Sequence, residues 1–196
     1  MRLVAFNGSP RKDGNTDILL TETLKCVDPS KHQIIRYDLN QMNITPCQDC
    51  GGCEQTGQCI INDDMSKIYD AIRFADRIIL ASPIFFFSIS AQAKAMIDRC
   101  QAFWCERYLL KRDIPERGVG RRGLLILVGG MKKEIGVTCA DACAKAFFRT
   151  ISVPRHEVVS CLGVDEKGAI LRHPQYISNS QNAVQRLLID NAREGS

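Results

Sequence analysis

The 196-residue sequence predicts a doubly wound α/β fold, a five-stranded parallel sheet of order 2-1-3-4-5 with helices on both faces. Short apolar runs alternate with helical segments from the first residues onward. The length suits one full core, with a single domain over 1–196 and a cysteine-rich insertion loop at 46–62. A hydrophobic fraction of 45% against 24% charged residues is that of an ordinary folded chain and excludes disorder.

The elements follow in order. Arg2-Leu3-Val4-Ala5-Phe6 is the first strand, and a polar turn from Asn7 to Thr16 leads into a helix over 16–26 whose Ile18, Leu19 and Leu24 face inward. Gln33–Tyr37 is the second strand. After the cysteine loop, Asn62 or Asp63 caps a helix carrying Ile68, Ala71, Ile72 and Ala75 at helical spacing. Arg77–Ala81, apolar and bounded by Asp76 and Pro83, reads as a buried central strand. A long helix over 91–107 packs Cys100, Phe103, Trp104 and Cys105. A loop covers 113–122, and Gly123–Val128 is the fourth strand, closed by Gly129-Gly130. Thr138-Cys139-Ala140-Asp141 looks like a capping box opening the next helix. His156–Leu162 is the fifth strand, followed by a polar loop over 165–179 and a last helix over 180–192.

Four of the ten cysteines fall within thirteen residues, Cys47, Cys50, Cys53 and Cys59, at spacing C-x2-C-x2-C-x5-C, with Gly51, Gly52 and Gly57 freeing the backbone to fold back. A C-x2-C-x2-C run is the spacing that delivers three thiolates to a cubane iron–sulfur cluster from a single loop. Zinc also takes four thiolates, usually from two separated C-x2-C pairs, and free or redox-active thiols are the third reading.

Composition narrows the rest. A formal charge of +4, spread along the chain and without a helix-turn-helix or zinc-finger pattern, gives no reason to expect nucleic acid as a partner. The longest apolar stretch, 78–87, is interrupted by Ser82-Pro83 and too short for a bilayer, so no membrane is expected. Ten cysteines without a secretory leader point to a reducing, cytoplasmic setting. The three histidines, His32, His156 and His173, are too scattered for a histidine metal site or a nucleophile–histidine triad, and no catalytic side chain is assigned.

In such sheets ligands lie outside the carboxyl ends of the strands, at the switch point beside strand 1. The loop 7–16 has the makings of a phosphate cradle there: Ser9, Arg11, Asn15 and Thr16 delivered to a helix N-terminus. It is neither G-x-G-x-x-G nor a P-loop, which favours a terminal monophosphate. After strand 3, Ser82-Pro83-Ile84-Phe85-Phe86-Phe87-Ser88 sets aromatic surface beside exposed backbone groups, as an isoalloxazine ring requires, with Phe85 and Phe86 the preferred neighbours.

The segments Gly8–Thr16, the cysteine run followed by Asp63-Asp64-Met65, and Ser82-Pro83-Ile84-Phe85 with Ala91–Arg99 resemble the NADPH-dependent FMN reductase superfamily, and within it the iron–sulfur flavoproteins. The resemblance is good to about residue 130. It implies a flavodoxin-like fold and FMN held by Ser9, Arg11, Asn15 and Thr16 at the phosphate. It also implies ring and ribityl contacts from Ser82, Pro83, Ile84, Phe85, Phe86 and Ser88, with a third loop at Gly129-Gly130. It further implies a [4Fe-4S] cluster on Cys47, Cys50, Cys53 and Cys59, and a homodimer or homotetramer. Residues 84–87 depart from the family's aromatic-then-glycine pattern, because Phe86 and Phe87 are bulky. The function expected is an FMN-dependent oxidoreductase passing electrons between cluster, FMN and a donor or acceptor such as ferredoxin, NAD(P)H or a quinone. The alternatives are a clusterless NAD(P)H-dependent FMN or quinone reductase with structural or zinc-binding cysteines, and a non-enzymatic flavodoxin-like carrier. A C-x-x-C thiol oxidoreductase is disfavoured by Gly51-Gly52, which oppose the helix it needs.

Overall fold

The computed structural model describes residues 1–112 and 120–189. Its sheet has the expected order, with β1 (Arg2–Asn7), β2 (Gln33–Asp38), β3 (Arg77–Pro83), β4 (Arg122–Gly129) and β5 (Arg155–Leu162) arranged β2-β1-β3-β4-β5, every pair parallel. Strand alternation divides the core. Val4, Phe6, Ile78, Leu80, Leu125 and Leu127 point to one face and pack on α2 (Met65–Phe74), α3 (Ala91–Arg99), α4 (Gln101–Trp104) and α5 (Glu134–Thr150). Leu3, Ala5, Ile79, Ala81, Leu124 and Ile126 point to the other, under α1 (Asn15–Leu24) and α6 (Pro174–Leu188). The central strands are buried on both sides, hence their unbroken apolar runs.

Beneath the sheet's amino edge, buried Arg121 replaces conventional caps. Its Nε donates to the Ala75 carbonyl, Nη1 to Ile151 and Nη2 to Ile72, so one guanidinium satisfies the carbonyl ends of α2 and α5. Burial pulls its pKa down to about 10.

Three boundaries differ markedly from expectation, and one cap is as expected. The helix expected to open at Thr138 begins at Glu134; Thr138 lies one turn inside and returns its hydroxyl to the Glu134 carbonyl, as a threonine does mid-helix. The expected helix 91–107 breaks at Cys100, and a π-helical turn over Cys105–Leu109 follows α4. The polar loop 165–179 is shorter than expected, because a 3-10 turn forms at Ala169–Arg172 and α6 starts at Pro174, where proline's fixed φ favours the first helical position. Of the two proposed caps of α2, Asp63 acts, its Oδ1 accepting from the Met65 N–H at 3.0 Å. Residues 113–119 of the expected loop and 190–192 of the expected last helix lie outside the described residues.

Candidate functional site

The loop after β1 is shaped from below. Asn7 Nδ2 donates to Asp17 Oδ1 at 3.1 Å and to Asp38 Oδ1 at 2.8 Å, and Arg36 pairs with both carboxylates. Asp17 Oδ2 also accepts from the Asp13 N–H at 2.7 Å, holding Asp13 at φ 56°. At Asp38, burial pushes the carboxyl up, but the hydrogen bonds from Arg36 and Asn7 outweigh it and hold the group below its ordinary range. Gly8 is required by contact: a Cβ there would meet Ala93 Cβ and Ser90 Oγ at 2.9 Å. The Gly8 N–H donates to the Ala81 carbonyl at 2.7 Å and its carbonyl accepts from Ser90 Oγ at 2.6 Å, so the loops after β1 and β3 are fastened together.

These loops enclose a cavity of about 630 Å³ at the carboxyl edge of the sheet. Ser9, Arg11, Asn15 and Thr16 line one part, Pro83, Ile84, Phe85 and Phe86 another, and Gly129 and Gly130 a third. Ten of the twelve expected cofactor residues are thus brought together. Ser82 and Ser88 are not among the lining residues. Ser82 is buried with its hydroxyl donating to the Pro83 carbonyl and accepting from the Ser90 N–H, and Ser88 closes a backbone hairpin with Phe85. Asn15 lines the cavity, but its amide is engaged elsewhere. Nδ2 donates to the Glu166 carbonyl at 2.8 Å and Oδ1 accepts from the Ile170 N–H at 3.2 Å, tying the start of α1 to the segment after β5.

That segment is what the sequence reading missed. Val164, Asp165 and Lys167 line the cavity, together with Phe87, Met131, Lys133 and Gly136. Lys133, Lys167 and Arg11 bring three cations against one carboxylate, Asp165, and the first turn of α1 offers backbone N–H groups that precede its helical ladder. Cations and a helix N-terminus on one part of the lining, with Ile84 and the phenylalanines on another, are groups that could hold a phosphorylated flavin. The rule that points to loops at strand carboxyl ends covers β5 too, and Lys167 next to Gly168 was the legible signal there.

The cysteines occupy a second, much smaller cavity. Cys47, Cys50, Cys53 and Cys59 all line it, beside Arg99, Gln101 and Cys105. Cys105 is a fifth thiol the sequence reading assigned only to packing: its Sγ stands 3.5 Å from that of Cys53, and burial, followed by the Cys105 contact, pushes the Cys53 thiol up to about 12. Arg99 Nε is buried without a hydrogen-bond partner. Four thiols and an orphaned cationic donor are a suitable donor set for an anionic metal–sulfur body. Their arrangement is less suitable, because among the described residues no three His, Cys, Asp or Glu side chains gather where one metal ion could be held.

The cysteine loop lies apart from the larger cavity. It leaves the carboxyl edge after β2, but its thiols settle at the far end of α3, and the two cavities share no lining residue. Ser90, at the start of α3, touches Gly8, whereas Arg99, at its end, touches the cysteine loop, and nine helical residues separate them by about 13 Å.

A parallel sheet of this order with a phosphate-and-ring cavity at its switch point defines a flavodoxin-like protein. Residues 1–161 match the family of NADPH-dependent FMN reductases, and the chain belongs to it. An iron-sulfur flavoprotein of Archaeoglobus fulgidus is 34% identical over 128 residues, 65% of this chain and 62% of its own. One from Clostridioides difficile is 33% identical over 156 residues, 76% of this chain and 69% of its own. The matches span about half to two thirds of the length of the first curated relatives, 62% and 51%. Among solved structures, an NAD(P)H:quinone oxidoreductase from Methanothermobacter marburgensis superposes with TM-score 0.76 at 13% identity, covering 97% of each chain. An FMN-dependent NADH-azoreductase from Bacillus anthracis, in complex with FMN, gives 0.71 at 16% identity, covering 96% of this chain and 100% of its own. At these identities the structures speak for the fold.

Proposed function

We propose that this chain is an FMN-dependent oxidoreductase, working as one flavodoxin-like unit with 46–62 as an inserted loop, and that NAD(P)H is its reductant. The observation that carries the reading is the cavity at the carboxyl edge, polar at the start of α1 and apolar at Ile84–Phe87. FMN bound there supplies two-electron redox chemistry that no amino-acid side chain provides. The chain's own residues bind and orient. Ser9 and Thr16, both buried, stand with Arg11 at the phosphate end, and the Gly8–Ser90 contact fixes that end against the ring end. Ile84, Phe85 and Phe87 give one part of the cavity an apolar lining from which a bound ring would displace water. NAD(P)H approaches from the open side, because the sheet formed by the described residues offers no second dinucleotide fold.

A second reading adds a [4Fe-4S] cluster on Cys47, Cys50, Cys53 and Cys59, with ferredoxin as a donor and a homodimer or homotetramer bringing the cysteine loop of one copy toward the cavity of another. It is favoured by the donor set around the second cavity and by the iron-sulfur flavoproteins among the relatives. Zinc has the same four thiols in its favour and nothing further.

Anaerobic purification followed by visible spectroscopy, FMN titration and iron, sulfide and zinc analysis separates these readings. Tight FMN binding with NADH or NADPH bleaching the flavin absorbance is expected. Failure to bind added FMN sinks the proposal. About four irons and four sulfides per chain establish the second reading.

A further inference from the structure

The turn that carries Cys53 is docked on the segment that carries Cys105 by contacts that involve neither sulfur. The Gly57 N–H donates to the Cys53 carbonyl at 2.8 Å, and Gly57, at φ 75°, lies so close to the next element that an added Cβ would stand 3.0 Å from Glu106 Cβ. Arg73 holds Glu106 in a 2.6 Å ion pair, and Arg112 Nη1 donates to the Thr56 carbonyl at 3.0 Å. On its side, Cys105 opens the π-helical turn Cys105–Leu109, closed by the Leu110 N–H on its carbonyl at 2.9 Å, and Gln101 Nε2 donates to its Sγ at 3.8 Å. Turns of this kind recur at functional sites.

These contacts bring the two sulfurs to 3.5 Å, with Cys105 buried and Cys53 half-buried. A disulfide has its sulfurs about 2.05 Å apart, and the difference is of the size that side-chain rotation supplies. Among the described residues no three metal-ligating side chains gather, whereas these two thiols meet across 52 residues of chain. Cys53 thus faces a thiol from outside its own motif.

We propose that Cys53 and Cys105 are a disulfide-forming pair, oxidised by a small-molecule disulfide such as oxidised glutathione, and that the bond withdraws Cys53 from any metal held by the four-cysteine motif. The Cys53 thiolate attacks one sulfur of the oxidant and expels a first thiolate. The Cys105 thiolate then attacks the Cys53 sulfur of the mixed disulfide and expels the second. Two protein thiols are oxidised, one small disulfide is reduced, and the two protons end on the released thiols. Burial favours the protonated Cys53 thiol, so the exchange is slow at neutral pH. A metal on all four motif thiolates and this disulfide exclude each other, because both take the Cys53 sulfur.

The test uses the full chain, reduced, freed of metal by a chelator and incubated overnight with oxidised glutathione at about pH 8.5, the ordinary thiol pKa. Remaining thiols are alkylated and the linked peptides are mapped by mass spectrometry with fragmentation. A Cys53–Cys105 link is expected, with a thermal midpoint about 5–15 °C above that of the reduced chain, and neither is expected in Cys105→Ala. Cobalt(II), added without reductant as a thiolate probe, should give at least about tenfold more thiolate absorbance with the reduced than with the oxidised chain, a ratio that returns toward one in Cys105→Ala. A link confined to Cys47, Cys50, Cys53 and Cys59, a link between two chains, or no link overturns the pair, and the map of the unaltered chain decides this even where the variant fails to fold. A cobalt ratio near one in the unaltered chain, or one kept in Cys105→Ala, overturns the exclusion of metal.

Discussion

Arg99 and Asp63 form a fully buried ion pair, Nη1 to Oδ2 at 2.7 Å, that locks both ends of the cysteine loop to the end of α3. Arg99 also donates to the Thr45 and Ile61 carbonyls, and Asp63 accepts from the Thr45 N–H, so one pair ties residue 45 to residue 63 around the four thiols. Removing one partner leaves an uncompensated buried charge. Arg99→Ala is expected to destabilise the chain by about 3–5 kcal/mol in denaturant unfolding and to expose 46–62 to limited proteolysis.

The same pair sets an acid limit. Burial pushes the Asp63 carboxyl up, but hydrogen bonds from Arg99 and from the Thr45 and Met65 N–H groups outweigh it and hold the group below its ordinary range. A depressed folded pKa contributes stability that is complete above the unfolded value, about 4, and is lost as pH falls through the folded one. Unfolding free energy measured from pH 6 to pH 2 should therefore fall below about pH 4, and in Asp63→Asn that part of the slope should be shallower.

Gly8→Ala places a methyl 2.9 Å from Ala93 Cβ and Ser90 Oγ and 3.1 Å from the Ala81 carbonyl, with backbone on one side and no flexible neighbour to yield. The cost is about 1–3 kcal/mol, and because this contact joins the two ends of the larger cavity, FMN affinity should drop with stability. Calorimetric titration with FMN measures it; unchanged affinity would show that the two loops are held independently.

Asn15→Ala removes three hydrogen bonds to the segment after β5, those to the Val164 and Glu166 carbonyls and from the Ile170 N–H. A loss of about 1–3 kcal/mol is expected, with faster hydrogen exchange at 164–170. Asn15→Asp should be nearly as damaging, because it replaces the donating amide while leaving the acceptor.

Because the cavities share no lining residue, Cys59→Ser should change FMN affinity by less than about twofold while altering whatever the cysteine loop binds. Loss of flavin from this variant would mean that the loop supports the fold.

The sheet was legible in the sequence because its strands are buried on both faces and so appear as uninterrupted apolar runs, Leu3–Phe6, Ile78–Ala81 and Leu124–Val128. Helix starts were less legible. Thr138 carries a capping signature yet lies inside α5, where its hydroxyl returns to the Glu134 carbonyl instead of capping.

The sequence by itself determined the fold, the family and most of the larger cavity, since glycines, hydroxyls and aromatics at strand carboxyl ends are local features and topology places those ends together. Tertiary structure alone decided three matters. It spent the Asn15 amide on the segment after β5, brought Cys105 to Cys53 across 52 residues of chain, and drew the cysteine loop to the far end of α3. The reason is common to all three: each depends on a long-range partner, and the strongest of these, buried Arg99, announces nothing in sequence until Asp63 is found beside it.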